Sequence, residues 1–370
     1  MQADQPLNGR LVLDLTQGIA GPYCGRLLAE HGARVIKVEP PEGDWVRKIG
    51  GGPGGQSVNF LYYNLGKEGI TLDLKTPEGL GHALKIAARA DVVLESARPS
   101  VMDRLGIGYE AVRAVAPNIV YLSVSGFGQN GPRGQDPMTD TVAQAYSGMM
   151  SLNHGMDTIP HKIQTTIVDA ITGLYAFQQA SMALMAGGPA RHVDVSLMQA
   201  AAAVMGPKVM EFAYFGMTPA TPNAPAGSYP TKDGWIAITL VRESHFVDIA
   251  KALGKPELAE DVRFRTFPDR LENLPALVEI MNGLTRQRTT DDWMPIMREY
   301  KVLANPVFSF GDWLAEPQVQ ATAGAPEIAV SEGVMSPAPR TPGRAPFDRP
   351  APEAGADTAR ILAEFAGDGA

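Results

Sequence analysis

One carboxylate stands out by its setting. Asp169 lies in Gln164-Thr165-Thr166-Ile167-Val168-Asp169-Ala170-Ile171-Thr172-Gly173, directly ahead of the largely apolar run 174–185. The pattern predicts a long buried helix starting close to it. Free amide N–H groups and the positive end of the helix dipole there favour the ionised side chain. An ionised, partly desolvated carboxylate can act as a nucleophile or a base. It can equally do no more than cap the helix, so its neighbours must decide.

Other chemistries find little support. Gly50-Gly51-Gly52-Pro53-Gly54-Gly55 lacks a following Lys-Ser/Thr pair and opens no helix, so it fits neither a phosphate-cradling loop nor a dinucleotide fingerprint. A mobile loop is the reading it supports. The six histidines, among them His154 and His192, show no metal-ligand spacing, and no metal is expected. Ser125-Gly126-Phe127-Gly128 lacks the spacing of a nucleophile elbow. Lys37, Lys75, Arg98 and Arg104 fall where loops should leave a sheet. Singly each reads as a solvated charge; together they could neutralise a multiply phosphorylated ligand.

The balance of 32 Lys+Arg against 40 Asp+Glu, net −8, argues against general binding to nucleic acid or to a membrane surface. The lone Cys24 excludes an internal disulfide and suits a reducing cytoplasm. The opening Met1-Gln2-Ala3-Asp4-Gln5-Pro6 carries no basic and apolar leader pattern, and the run after Asp169 is too short and interrupted to span a bilayer.

The elements that must position Asp169 alternate. Strand patterns at 11–15, 34–39, 91–95 and 119–124 are separated by helical stretches, including one around 102–115. That order predicts an α/β fold, a doubly wound, Rossmann-like large domain with a parallel sheet. A further strand at 192–196 and an apolar helix through 200–210 follow Asp169's helix. The expected organisation is a large domain from 1–216, a linker at 217–225, a smaller α+β domain at 226–325, and a Pro-rich return segment with a last helix at 326–370.

A family resemblance covers nearly the whole chain. Asp14-Leu15-Thr16, Ala20-Gly21-Pro22 and Leu28-Ala29-Glu30-His31-Gly32-Ala33-Arg34-Val35-Ile36-Lys37-Val38-Glu39-Pro40-Pro41 resemble the N-terminal signature of the family III CoA-transferases, the CaiB/BaiF group. The likeness continues through Asn64-Leu65-Gly66-Lys67, Leu72-Asp73-Leu74-Lys75-Thr76-Pro77-Glu78-Gly79, Asp103-Arg104-Leu105-Gly106 and Ser125-Gly126-Phe127-Gly128-Gln129-Asn130-Gly131-Pro132. Asp140 with Val142-Ala143-Gln144-Ala145 and Thr231-Lys232-Asp233-Gly234-Trp235 complete it. The resemblance implies that Asp169 is the catalytic aspartate and that Asp140 is a carboxylate beside it. It assigns Leu72, Lys75 and Arg104 to the coenzyme A site, with Arg98 and Lys37 as further candidates. It also implies an interlocked homodimer, an acyl-CoA donor and a carboxylic acid acceptor.

The same group includes α-methylacyl-CoA racemases, which need two proton carriers about an α-carbon. In that branch a histidine precedes the aspartate matching Asp140; here the residue is Thr139. A threonine hydroxyl is no base near neutral pH, so transfer is favoured over α-proton exchange. Glu243 lies near the position of the racemase glutamate and counts for little, and a non-catalytic CoA-binding scaffold is the remaining alternative. The absence of a four-glycine run before Tyr229 disfavours a formyl/oxalate pair. Succinyl-CoA is the donor the family suggests, and Met149-Met150-Ser151-Leu152-Asn153-His154 are candidates for the acyl pocket.

Overall fold

The computed structural model describes residues 5–153, 159–217 and 223–366. His154 and most of the expected linker, residues 218–222, lie outside them. The chain forms two compact units, 1–206 with 321–370, and 207–320.

The first unit is built on a parallel sheet of six strands: β1 (Leu11–Asp14), β2 (Arg34–Glu39), β3 (Glu68–Thr71), β4 (Val92–Glu95), β5 (Val120–Ser125) and β6 (Arg191–Ser196). Their spatial order is β3-β2-β1-β4-β5-β6, all neighbours parallel. The order reverses between β1 and β4, which opens a crevice beyond the carboxyl ends of those strands. Apolar residues occupy both faces of the inner strands because helices cover both sides. Val12, Val35, Val92, Leu94 and Leu122 pack with α1 (Ala20–Glu30) and α4 (Ile167–Ala186). Their neighbours Leu13, Ile36, Val93 and Tyr121 face α2 (Pro77–Ala87) and the helix Thr358–Phe365. Alternation along each strand thus feeds two cores.

α1 and α4 approach closely at Gly173. A Cβ there would lie 2.8 Å from the Ala20 carbonyl oxygen and 2.9 Å from Tyr23 Cβ. The glycine lets the second turn of α4 rest on the first turn of α1, which brings the starts of both helices to the crevice.

Two expected helices are broken. The stretch around 102–115 divides into Val101–Leu105 and Tyr109–Val115, because Gly106 adopts φ +84° and ends the first piece. The apolar helix through 200–210 divides into α5 (Leu197–Val204) and α6 (Gly206–Phe215), and the boundary between units falls at that break. The Pro-rich segment after 326 contains an antiparallel hairpin, Glu327–Ser331 with Val334–Pro337, where extended chain was expected.

The second unit carries a three-stranded antiparallel sheet, Gly227–Pro230, Trp235–Thr239 and Leu303–Pro306. Helices Ser244–Ala252, Leu274–Thr285 and Thr290–Glu299 pack on it around Phe246, Phe264, Leu277 and Trp293. No helix among the described residues is long and apolar enough to cross a membrane.

Candidate active site

A cleft of about 500 Å³ lies at the crevice between β1 and β4. The loop after β1 supplies Leu15, Gln17, Gly18 and Ile19, and the first turn of α1 adds Ala20 and Gly21. The segment after β4 gives Ser96 to Pro99, including Arg98. Ser125 and Gly126 come from the end of β5, Asp136 to Thr139 from the following loop, and Asp169 from the first turn of α4. Asp169 and Arg98 therefore share one cleft, and among the described residues Arg98 is the only cationic side chain lining it.

Asp169 is partly buried, and its carboxylate has no hydrogen-bond partner among the described residues. The amides expected to favour its charge are taken elsewhere. Asp140 Oδ2 accepts from Val168 N at 2.7 Å and from Asp169 N at 3.3 Å, so Asp140 caps α4 from a separate helix, α3 (Asp140–Tyr146). Burial first, and the Asp140 charge second, push the Asp169 carboxyl up to about 7. The expectation that the helix start favours the ionised side chain is thereby reversed. The side chain that faces the cleft titrates near neutrality and is not pinned by a donor.

Gln144 completes this arrangement, and its role was not visible in the sequence. It is wholly buried; its Nε2 donates to Asp140 Oδ1 at 2.6 Å and to the Ile163 carbonyl at 3.2 Å, and its Oε1 accepts from Ile163 N at 2.8 Å. One amide side chain thus ties the chain entering α4 to the carboxylate that caps it. Both oxygens of Asp140 accept hydrogen bonds.

These contacts give a pH prediction. In Asp140→Asn the negative neighbour is gone but the burial stays, so Asp169 ionises at lower pH. The acid limb of kcat/KM, set by Asp169, should move toward lower pH in that variant; an unmoved limb would contradict the coupling. The new amide NH2 would face the Gln144 donor, and a stability loss of about 1–3 kcal/mol should accompany the shift.

The other expected site residues fall in different places. Lys37 on β2 is wholly buried, with its Nζ 2.9 Å from both Asp44 Oδ2 and the Thr16 carbonyl. It is not among the residues lining the cleft, because the loop over it claims its ammonium. Leu72 packs in the core beside β3. Lys75 and Arg104 are exposed and also lie outside the cleft lining. Met149 belongs to the core rather than to the cleft. Gly50 to Gly55 do not line it either, whereas Gly126 does. Thr139 is on the cleft wall beside Asp140, and no histidine is among the lining residues. The Glu243 carboxylate pairs with Arg270 and accepts from Phe267 N at 2.7 Å, so both its oxygens are engaged within the second unit. Among the described residues no group of three His, Cys, Asp or Glu is gathered as a metal ion would require.

Comparison with known proteins agrees with the topology and with the family resemblance of the sequence. The family model of CoA-transferase family III matches residues 7–358. A succinate–glutarate CoA-transferase of Agrobacterium fabrum is 32% identical, the match covering 97% of this chain and 96% of that relative. An acetyl-CoA:oxalate CoA-transferase of Acetobacter aceti is 34% identical over 90% of this chain and 87% of its own length. The crystal structure of a CaiB/BaiF family protein from Brucella suis superposes with a TM-score of 0.88 at 33% identity, covering 98% of this chain and 100% of that one. The chain belongs to CoA-transferase family III, and it is an enzyme of the CoA-transferase class.

Proposed function

We propose that this enzyme moves coenzyme A from an acyl-CoA donor to a carboxylic acid acceptor through covalent intermediates on Asp169. The observation that carries the reading is the Asp169 carboxylate itself: on the wall of a cleft at the sheet's switch point, without a hydrogen-bond partner among the described residues, and titrating near neutrality. Such a group keeps its nucleophilicity once ionised, because no donor has to be displaced before it attacks.

In this mechanism an Asp169 oxygen attacks the donor thioester carbonyl, giving a mixed anhydride and the CoA thiolate. The thiolate attacks the aspartyl carbonyl; the donor acid leaves with the bridging oxygen, and an aspartyl-CoA thioester remains. An acceptor carboxylate attacks that thioester and expels the thiolate again. The thiolate finally attacks the acceptor's acyl carbon, releasing the new acyl-CoA and restoring the carboxylate. The backbone N–H groups of Ala20 and Gly21 at the start of α1 border the cleft and suit the tetrahedral oxyanions. Arg98 is the cleft's candidate for a phosphate or for a second carboxylate of a substrate.

Thr139 on the cleft wall and the engaged Glu243 carboxylate support transfer over α-proton exchange. The names of the relatives make dicarboxylic acids and their CoA thioesters the first substrates to try. Lys75 and Arg104 remain candidates for the outer part of the nucleotide, and Leu72 and Lys37 for supporting roles beneath it. A homodimer fits the exposed apolar side chains of two helices, Leu174, Met182 and Met185 of α4 and Met210, Phe212, Tyr214 and Phe215 of α6. A cytoplasmic location accords with the lone buried Cys24.

Incubation with an acyl-CoA and hydroxylamine tests the covalent route. A hydroxamate on the Asp169 peptide, seen by mass spectrometry, is the expected result. Unmodified Asp169 under turnover, with α-proton exchange in heavy water, would favour the racemase reading instead.

A further inference from the structure

The loop between β1 and α1 forms one whole wall of the cleft, yet few of its own side chains hold it in place. Its backbone is gripped from beneath by four charged side chains with no exposed surface. Asp14 Oδ1 accepts from Thr16 N at 2.9 Å. Lys37 Nζ donates to the Thr16 carbonyl at 2.9 Å. Asp44 Oδ1 accepts from Gly18 N at 3.2 Å. Lys67 Nζ donates to the Pro22 carbonyl at 2.8 Å. The same four groups pair with one another, Lys37 with Asp44 at 2.9 Å and Lys67 with Asp14 at 2.8 Å, and all four side chains are wholly buried. They arrive from four separate places: the end of β1, the body of β2, the turn after β2, and the segment before β3.

We propose that Asp14, Lys37, Asp44 and Lys67 form a buried ionic latch that positions the cleft loop 16–22 for the acyl-CoA, acting through the backbone and without touching the ligand. The proposal rests on the reading of the cleft as the acyl-CoA site. It makes Lys37 a positioning residue in place of a direct ligand. Two buried ion pairs are a poor source of stability, since desolvation offsets most of their attraction. What they supply is direction: each charge has one geometry that satisfies it, and in that geometry a particular backbone atom of the loop is fixed. Gly21 shows how tight the result is, because a Cβ there would lie 2.5 Å from Thr16 Cβ. A displacement of the loop by a fraction of an ångström would therefore alter the wall that the ligand meets.

The latch also titrates. Burial lowers the Lys67 ammonium to about 8, against the opposing pull of Asp14. Lys67 faces Asp14 on β1, Lys37 on β2 and Asp44 in the turn. Cys24 on α1 is a further titratable neighbour, and burial pushes its thiol far up, so it stays neutral. As pH rises through about 8, Lys67 loses its charge and the pair with Asp14 is broken.

The test compares the wild type with Lys37→Met/Asp44→Asn, which removes one cation and one anion together and keeps the buried charge balanced. Acetyl-CoA affinity is read by calorimetry and by the fluorescence of Trp45, which lines the cleft. The folded variant should bind acetyl-CoA roughly tenfold more weakly and show a matching rise in KM with a smaller change in kcat. Thr16→Val removes only the hydroxyl contact to Asp14 and leaves every charge in place; it should weaken binding by about threefold. Wild-type affinity should itself fall between pH 7 and pH 9. A folded variant of either kind with wild-type affinity would overturn the latch. Failure of the wild type to bind acetyl-CoA would overturn the reading of the cleft instead, so the two failures are distinguishable.

Discussion

Asp169→Asn should abolish CoA transfer, with a loss of about 10⁴-fold or more in kcat, while leaving the protein at least as stable as the wild type. The amide cannot form the anhydride, so no partial route through this residue survives. The stability part follows from linkage. Burial and Asp140 raise the folded-state carboxyl to about 7, whereas an unfolded aspartate ionises near 4. The folded state therefore binds the proton more tightly, and stability falls as pH rises through that interval. Above pH 7 the charged side chain costs the fold on the order of 2–4 kcal/mol, and below about pH 4 it costs nothing. Asp169→Asn should thus melt higher than the wild type at pH 8 and nearly level with it at pH 4. Wild-type kcat/KM should correspondingly climb as pH rises through about 7, because only the ionised carboxylate attacks. A variant that loses activity and also melts lower at pH 8 would indicate a structural role for Asp169.

Lys67→Met should be the most damaging change outside the cleft, lowering stability by about 3–5 kcal/mol. The substitution strands Asp14, whose carboxyl is held below its usual range by the two lysines despite complete burial. It also leaves the Pro22 carbonyl and Asn64 Oδ1 without the ammonium each faces at 2.8 Å. Adding Asp14→Asn removes the unpaired charge, so Asp14→Asn/Lys67→Met should recover about half of the loss in thermal melts. A single variant that melts like the wild type would show that the ion pair contributes nothing net and that the segment repacks around it.

The scaffold was legible in the sequence where hydrophobic runs were long and closed by turn residues. β1, β2, β4 and β5 were all read, because both their faces are covered and their apolar character is continuous. β3 was missed. It is only Glu68-Gly69-Ile70-Thr71, and its glycine is required by a remote segment: a Cβ at Gly69 would sit 2.8 Å from Pro352 Cβ. No local pattern announces a contact across so much chain. The helix breaks at Gly106 and Gly206 were missed because apolar periodicity continues across both.

The site divides in the same way. Asp169 could be singled out because its helix start and the surrounding motifs are local in sequence. The state of its carboxyl could not, since that depends on Asp140 reaching from another helix to take the amides at 168 and 169. Lys37 shows the same dependence on assembly. On a strand end it reads as a free cation for phosphate, but its partners Asp44 and the Thr16 carbonyl converge only when the sheet is assembled. Gln144 carried no chemical signal at all in one dimension; its linking role exists only once α4 and its approach are in place.

The most direct test of the account follows oxygen. In the proposed cycle one oxygen of each acceptor acid remains on Asp169, and in a later turnover it leaves with a released donor acid. With an acceptor acid carrying heavy oxygen in its carboxylate, the Asp169 peptide should gain one labelled oxygen, and label should then appear in the released donor acid. Label passing to the donor acid with none ever on Asp169, or full turnover with no oxygen transfer, would contradict a covalent role for this carboxylate.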